Sequence, residues 1–329
     1  MTTNHFSFSR RSLLKIGAGA AVLAGMNLPK PAYAADKGQM ATLIDLGLCD
    51  GCADRKLPAC VGACRAINKN KIPPIVENIP EPWPRKTIED WSRKQEVFHR
   101  LTPYNFIYVQ QVRIDGKNYF VPRRCMHCDN PACATICPFS ANHKEKNGAV
   151  VIDDDKCFGG AKCRDVCPWE IPQRQSGVGL YLYVLPDFMG NGVMYKCDLC
   201  NERIKQGKLP GCVEVCPRKA MLIGPRKEIE KLAEERARAM NGFIYGKTEN
   251  GGTSTLYVSP VSFEKITATM EKKPGQPDMK PEVKRRMAAT DPLGNAVLAA
   301  PVLGVVAAGV LNWFSKRKAT AAKEEQSHD

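Results

Sequence analysis

The sequence predicts an α+β fold made of two small cysteine-lined units, interrupted by a long insertion and followed by one apolar C-terminal helix. Three observations predict it. Fifteen cysteines among 329 residues fall into four groups of repeated spacing. Short apolar or β-branched runs stand beside two of these groups. One stretch of 22 uncharged residues, Leu293 to Phe314, lies near the C-terminus. Hydrophobic residues at 43% and charged residues at 25% describe a globular bulk, and exclude collagen-like, coiled-coil and multi-span membrane chains.

Residues 1–34 read as a removable twin-arginine signal peptide. Ser9-Arg10-Arg11-Ser12-Leu13-Leu14-Lys15 carries the arginine pair, a mildly apolar stretch runs from Ile16 to Met26, and Ala32-Tyr33-Ala34 offers small residues to the cleavage pocket. The mature chain is expected to begin at Ala35. This export route carries folded proteins, which suits a cofactor inserted in the cytoplasm. The simpler alternative is a chance arginine pair on an uncleaved amphipathic helix. Loss of residues 1–34 removes four basic and no acidic residues, and lowers the formal charge from +14 to +10. That surface suits an acidic protein partner or anionic lipid headgroups, or is simply solvated. Nucleic acid is a poor partner for an exported chain.

The cysteine-rich body is expected over residues 35–225. Group one is Cys49, Cys52, Cys60 and Cys64. Group two is Cys125, Cys128, Cys133 and Cys137. Group three is Cys157, Cys163 and Cys167. Group four is Cys197, Cys200, Cys212 and Cys216. Three groups open with C-x2-C, all four close with C-x3-C, and Pro138, Pro168 and Pro217 follow the last three. The C-x2-C…C-x3-C-P pattern is the bacterial ferredoxin signature. Three thiolates on a short loop converge on one cluster, and the fourth points to its neighbour. Thiolate is a soft ligand that suits iron–sulfur chemistry. Disulfides would suit an exported chain, but an odd count in repeated C-x2-C groups is a poor disulfide framework. Structural zinc prefers a second C-x2-C pair, and a thioredoxin-like redox site needs only one.

Group three departs from the pattern. In Cys157-Phe158-Gly159-Gly160-Ala161-Lys162-Cys163, Gly160 stands where the second thiolate belongs. Ligand count favours a [3Fe–4S] cluster there, with an open-cornered [4Fe–4S] cluster as the competitor. Lys162 and Arg164 flank the incomplete site, and positive charge at that place would raise its potential. His127, between Cys125 and Cys128, either tunes a cluster by hydrogen bonding or packs beside it.

On these residues the chain resembles the four-cluster ferredoxin-like subunits that wire membrane-bound bacterial oxidoreductases. These include the iron–sulfur subunits of formate dehydrogenase, dimethyl sulfoxide reductase and nitrate reductase. It is most similar to the tail-anchored iron–sulfur subunit of the type-2 uptake nickel–iron hydrogenase. Arg124-Cys125-Met126-His127-Cys128, Leu101-Thr102-Pro103-Tyr104-Asn105, the stretch from Leu209 to Pro217 and the single C-terminal span carry the likeness. The resemblance implies that Cys49, Cys52, Cys60 and Cys216 hold one cluster, and Cys197, Cys200, Cys212 and Cys64 a second. It implies a third on Cys125, Cys128, Cys133 and Cys167, and leaves Cys157, Cys163 and Cys137 for the incomplete fourth. Two features depart from the family: seven residues separate Cys52 from Cys60, and the hydrogenase-type subunit ordinarily keeps sixteen cysteines.

Between the motifs, pairing of the groups implies two bacterial-ferredoxin-like units with internal pseudo-symmetry. Ala149 to Asp153 is expected to be a strand before group three, with its counterpart at Ala220 to Ile223 after group four. Residues 65–124 form an insertion. Its proline-rich part carries Trp83 and Trp91, which would dock a partner or cover the cluster domain. Phe106 to Arg113 and Tyr119 to Val121 read as a hairpin around Asp115-Gly116. Residues 226–292 form a C-terminal extension. In it, Pro225 to Met240 reads as a surface helix with many Glu–Lys/Arg neighbours, Thr253 to Val258 as a strand, and 271–292 as a tether. Residues 293–314 are long enough to span a bilayer of roughly 30 Å, with Lys316, Arg317 and Lys318 opening a cytoplasmic tail over 315–329. An apolar helix packed on the body is the alternative. The span contains no histidine, so it cannot hold a haem between paired imidazoles.

The functional expectation is a periplasmic electron-transfer subunit with three [4Fe–4S] clusters and one [3Fe–4S] cluster. It would relay electrons between a catalytic subunit, such as a nickel–iron hydrogenase, and a quinone-reactive integral membrane subunit. No substrate chemistry is expected on this chain. The same wire serving a periplasmic molybdopterin oxidoreductase is the second reading, and a cysteine-rich zinc-binding structural protein the third.

Overall fold

The structure is a computed structural model that describes residues 38–81, 86–184 and 191–288. The signal peptide, Trp83, the span at 293–314 and the tail at 315–329 lie outside the described residues. No helix among those described is long and apolar enough to cross a membrane.

In chain order the elements begin with β1 (Met40–Asp45) and α1 (Ala59–Ile67), then β2 (Tyr108–Ile114), β3 (Lys117–Arg123) and α2 (Ala132–Thr135). Next come β4 (Asn142–Lys144), β5 (Val150–Ile152), α3 (Lys162–Asp165), β6 (Gln173–Gln175), α4 (Tyr181–Val184) and β7 (Val193–Tyr195). The chain continues with α5 (Asn201–Lys205), α6 (Gly211–Glu214), β8 (Met221–Pro225), α7 (Arg226–Ala239), β9 (Phe243–Tyr245), β10 (Thr255–Ser259) and α8 (Phe263–Thr269).

One four-stranded sheet has the order β8-β1-β10-β9. β1 runs parallel to β10, pairing Thr42 with Thr255, and antiparallel to β8, pairing Met40 with Pro225. Its side chains alternate in use. Ala41 and Leu43 join Leu256 and Val258 against Ile229, Ala233 and Ala237 of α7. Ile44 and Tyr257, on the opposite face, join the large core that contains the cysteines. The period-2 alternation of strands thus places the sheet between a helix and the sulfur-lined interior. Glu228 in the first turn of α7 and Arg236 and Arg238 in the last complement its dipole.

Two short ribbons, β4-β5 and β6-β7, back the other half. β5 lies where a strand was expected before group three. β8 joins the large sheet rather than a ribbon of this kind, so the two expected counterparts differ in their surroundings. The insertion contains the expected hairpin. Ile114 pairs with Lys117 around Asp115-Gly116, whose φ angles of 49° and 76° suit the tight two-residue turn. Residues 271–283, read as the start of a tether, lie against the body. Arg123 Nη2 donates to Asp278 O at 2.7 Å, Tyr245 OH to Lys280 O at 3.0 Å, and Met279 is fully buried. Trp169, just past Cys167-Pro168, joins the halves by donating to Tyr245 OH at 2.7 Å.

Candidate metal centres

Short helices position the closing cysteines. α1 carries Cys60 and Cys64 and packs against α6, which carries Cys212 and leads into Cys216. α2 carries Cys133 and packs against α3, which carries Cys163; Cys137 and Cys167 follow just beyond these helices. Pro58, Pro131 and Pro210 stand at three of the helix starts, where a missing N–H costs no hydrogen bond. The opening cysteines sit on loops that need left-handed backbone: Cys52, His127 and Cys200 have φ of 52°, 49° and 51°.

None of the fifteen cysteines is joined to another in a disulfide. Cys49, Cys52, Cys60 and Cys216 line one cavity. Cys64, Cys197, Cys200 and Cys212 line a second, together with Arg124 and Asn68. Cys125, Cys128, Cys133 and Cys167 form a third mutually repelling set. Cys157 neighbours Cys137 and Cys163 in a fourth. The sets follow one another in a row, each within electrostatic reach of the next. Cys60 neighbours Cys212, Cys197 neighbours Cys125, and Cys163 neighbours Cys133, so the order is first, second, third, fourth.

Burial raises these thiols. It lifts Cys49 and Cys197 to about 11 and Cys167 and Cys200 to about 12, and neighbouring thiols add to the rise. Grouped thiolates in a dry interior need a cation to compensate them. Hydrogen-bond donors already point at the sulfurs. Leu199 N lies 3.4 Å from Cys197 Sγ, Met194 N 3.4 Å from Cys157 Sγ, and Asn142 N 3.5 Å from Cys137 Sγ. Asn250 Nδ2 donates to Cys128 Sγ at 3.2 Å, and Asn68 Nδ2 to Cys64 Sγ at 3.5 Å. Soft, buried, donor-supported thiolates in sets of four and three are the surroundings an iron–sulfur cluster requires.

At the fourth set, Gly160 is exposed, and a Cβ there would meet nothing within 4 Å. Gly192 is the opposite case. At φ 122°, its added Cβ would lie 1.8 Å from Gln175 O, so only glycine lets this segment close on β6. Arg164 does not offer the fourth set a free charge. Glu89 clamps it with bonds of 2.7 and 2.8 Å and also holds Arg174. Burial alone would raise the Glu89 carboxyl, but Arg164 and Arg174 outweigh it and hold the group below its ordinary value. Lys162 pairs with Asp165 at 3.6 Å. Trp91 belongs to the same cover: its backbone N–H donates to Gln175 Oε1 at 2.8 Å, and its ring faces the Arg100 guanidinium at 4.7 Å.

Sequence reasoning missed Arg124 and Lys196. Both are buried and lie where the second and third sets meet; Arg124 Nη1 is 3.7 Å from Cys197 Sγ, and Lys196 Nζ binds Cys197 O at 3.2 Å. Adjacency to a cysteine (Arg124-Cys125, Lys196-Cys197) was the available signal. Burial, with Lys196 and Arg124 nearby, pushes the His127 imidazole well below its ordinary value.

Four cysteine sets carried on paired helices define a cluster-binding protein of the ferredoxin type. Comparison with known proteins agrees. One 4Fe-4S dicluster domain family matches residues 117–226, and another matches 48–141. The chain is 31% identical to the hydrogenase-2 operon protein HybA of Escherichia coli O157:H7, covering 78% of this chain and 83% of that protein. It is 30% identical to the iron–sulfur subunit of the nitrate-inducible formate dehydrogenase of Escherichia coli K12, over 68% of each. It is 39% identical to the B subunit of the anaerobic dimethyl sulfoxide reductase of that organism, over 34% of this chain and 49% of the relative. The chain belongs to the 4Fe-4S dicluster family of iron–sulfur electron-transfer subunits.

Proposed function

We propose that this chain is a periplasmic, membrane-anchored relay that passes single electrons between a catalytic subunit and a quinone-reactive integral membrane subunit. The succession of four neighbouring cysteine sets carries the reading, because a thiol of each set lies within electrostatic reach of the next. Cys49, Cys52, Cys60 and Cys216 would hold the first [4Fe–4S] cluster, Cys64, Cys197, Cys200 and Cys212 the second, and Cys125, Cys128, Cys133 and Cys167 the third. Cys137, Cys157 and Cys163 would hold a [3Fe–4S] cluster. Bound clusters supply one-electron storage. The residues of the chain fix the ligands, exclude water and aim N–H dipoles at sulfur, which favours added negative charge.

Residues 1–34 would direct export of the folded chain by the twin-arginine route. Residues 293–314 would anchor it, with Lys316, Arg317 and Lys318 on the cytoplasmic side. A nickel–iron hydrogenase partner is favoured by likeness to HybA over 83% of that protein. A formate dehydrogenase-type molybdopterin partner is the second reading, favoured by likeness over 68% of the formate dehydrogenase subunit.

Purified protein is expected to contain iron and acid-labile sulfide and to give a [3Fe–4S] EPR signal when oxidised. Gly160→Cys should abolish that signal and yield a fourth cubane, since the added side chain has open space. An unchanged spectrum overturns the assignment of the fourth set. Iron-free, zinc-containing protein overturns the whole reading. Co-purification followed by mass spectrometry separates the two catalytic partners.

A further inference from the structure

The loop that opens group two serves two sulfur sets. Cys125 and Cys128 face the third set, while the residues beside them turn to the second. His127 is fully buried, and its Nε2 lies 3.6 Å from Cys197 Sγ. Its Nδ1 accepts from the Val150 backbone N–H at 2.9 Å. A backbone amide can only donate, so Nδ1 must be the bare nitrogen and Nε2 must carry the hydrogen. The ring orientation is therefore fixed by β5, and the N–H points at sulfur. Arg124 Nη1 reaches the same sulfur at 3.7 Å, and Leu199 N at 3.4 Å. Cys197 thus receives three donors, two of them from the loop of the other unit.

We propose that His127 is a positioning residue that joins the second and third sets and raises the reduction potential of the second through its Nε2–H···Sγ bond to Cys197. The inference rests on the ligand sets given under Proposed function. Reduction adds negative charge to a cluster, and a donor aimed at a ligand sulfur stabilises the added charge. Both His127 and Cys197 are buried, where a hydrogen bond to sulfur is electrostatically stronger than in water.

Two substitutions separate the donor from the fold. In His127→Asn the amide oxygen takes the place of Nδ1 and still accepts from Val150 N, but no donor reaches Cys197. Asparagine also tolerates the φ of 49° at this position. In His127→Gln the amide nitrogen takes the place of Nε2 and keeps the donor. EPR-monitored redox titration of holoprotein is the readout. The second cluster is identified as the signal that Cys200→Ser perturbs, and the third as the one that Cys128→Ser perturbs.

His127→Asn is expected to make reduction of the second cluster about tenfold less favourable, a fall of about 59 mV for a one-electron couple. His127→Gln is expected to stay near the wild-type value. Unchanged potentials in His127→Asn, or a shift confined to the third cluster, overturn the proposal. If neither variant retains clusters, the wild-type protein decides. Specific ¹⁵N-histidine labelling should add a nitrogen coupling to the second cluster's pulsed-EPR spectrum, and its absence overturns the proposal. A holoprotein without iron would instead overturn the ligand sets themselves.

Discussion

Around the first two sulfur sets, α1 and α6 lean on a four-stranded sheet whose far face is covered by the 14-residue helix α7. Around the last two, α2 and α3 are backed by two ribbons of three-residue strands. The first half buries Leu43, Ile229, Ala233, Leu256 and Val258 in a small apolar core of its own. The second leans on the insertion, where Glu89 grips Arg164 and Arg174, Ser176 N donates to Glu89 O at 2.9 Å, and Asn191 Nδ2 to Thr87 O at 2.8 Å. The first half has an apolar core of its own, whereas the second shares the common core and adds polar clamps from the insertion. Two copies of one motif have therefore come to depend on different forces.

Removing the iron should break the comparison open. After chelation, amide hydrogen exchange is expected to rise most across β4 to β7, while β1, β8, β10 and α7 keep part of their protection. Equal loss in both halves would show that the apolar sheet gives no independent support. Arg236→Ala strikes the first half next. It strands Asp45, which is 3% exposed and bonded to Arg236 at 2.9 Å, and which also receives Gly47 N at 2.9 Å in the turn before Cys49. A loss of about 3–5 kcal/mol is expected for a broken buried pair, read by denaturant titration of the holoprotein. Glu89→Gln should weaken the second half by about 2 kcal/mol, as lost charged hydrogen bonds do, and raise exchange in β6 alone. Acid gives the smallest effect. The Glu89 carboxyl titrates below its ordinary value in the folded chain, so its contribution is complete above the unfolded pKa and is lost as the pH falls through the folded one. Protection of β6 should fall with acid in the wild type and stay flat in Glu89→Gln.

The same contrast explains what the sequence made legible. Cysteine spacing marks metal ligands because a short loop must present several sulfurs to one centre, and Asp115-Gly116 marks a hairpin because few residues accept both positive φ angles. The helix at 226–239 was visible in its charge pairs, such as Arg226–Glu230 at 2.7 Å. β6 was not visible, because Gln173-Arg174-Gln175 is polar yet wholly buried, its side chains satisfied by the insertion and nearby backbone. Glu89 sits near a proline-rich stretch whose local pattern says nothing of a partner 75 residues away. The reach of His127 to Cys197 spans 70 residues, so its place between two cysteines suggested one set while packing delivered it to another.

The parallel pairing of β1 with β10 has a consequence for synthesis. Thr42 meets Thr255, so the first of the described strands waits for one more than 200 residues later. The segment from Cys125 to Tyr195 emerges from the ribosome as a contiguous piece, but its Cys128 waits for the Asn250 that donates to it. The central sheet can close only after residue 259 has appeared, and Cys49 and Cys216 belong to the part of the chain that it closes last.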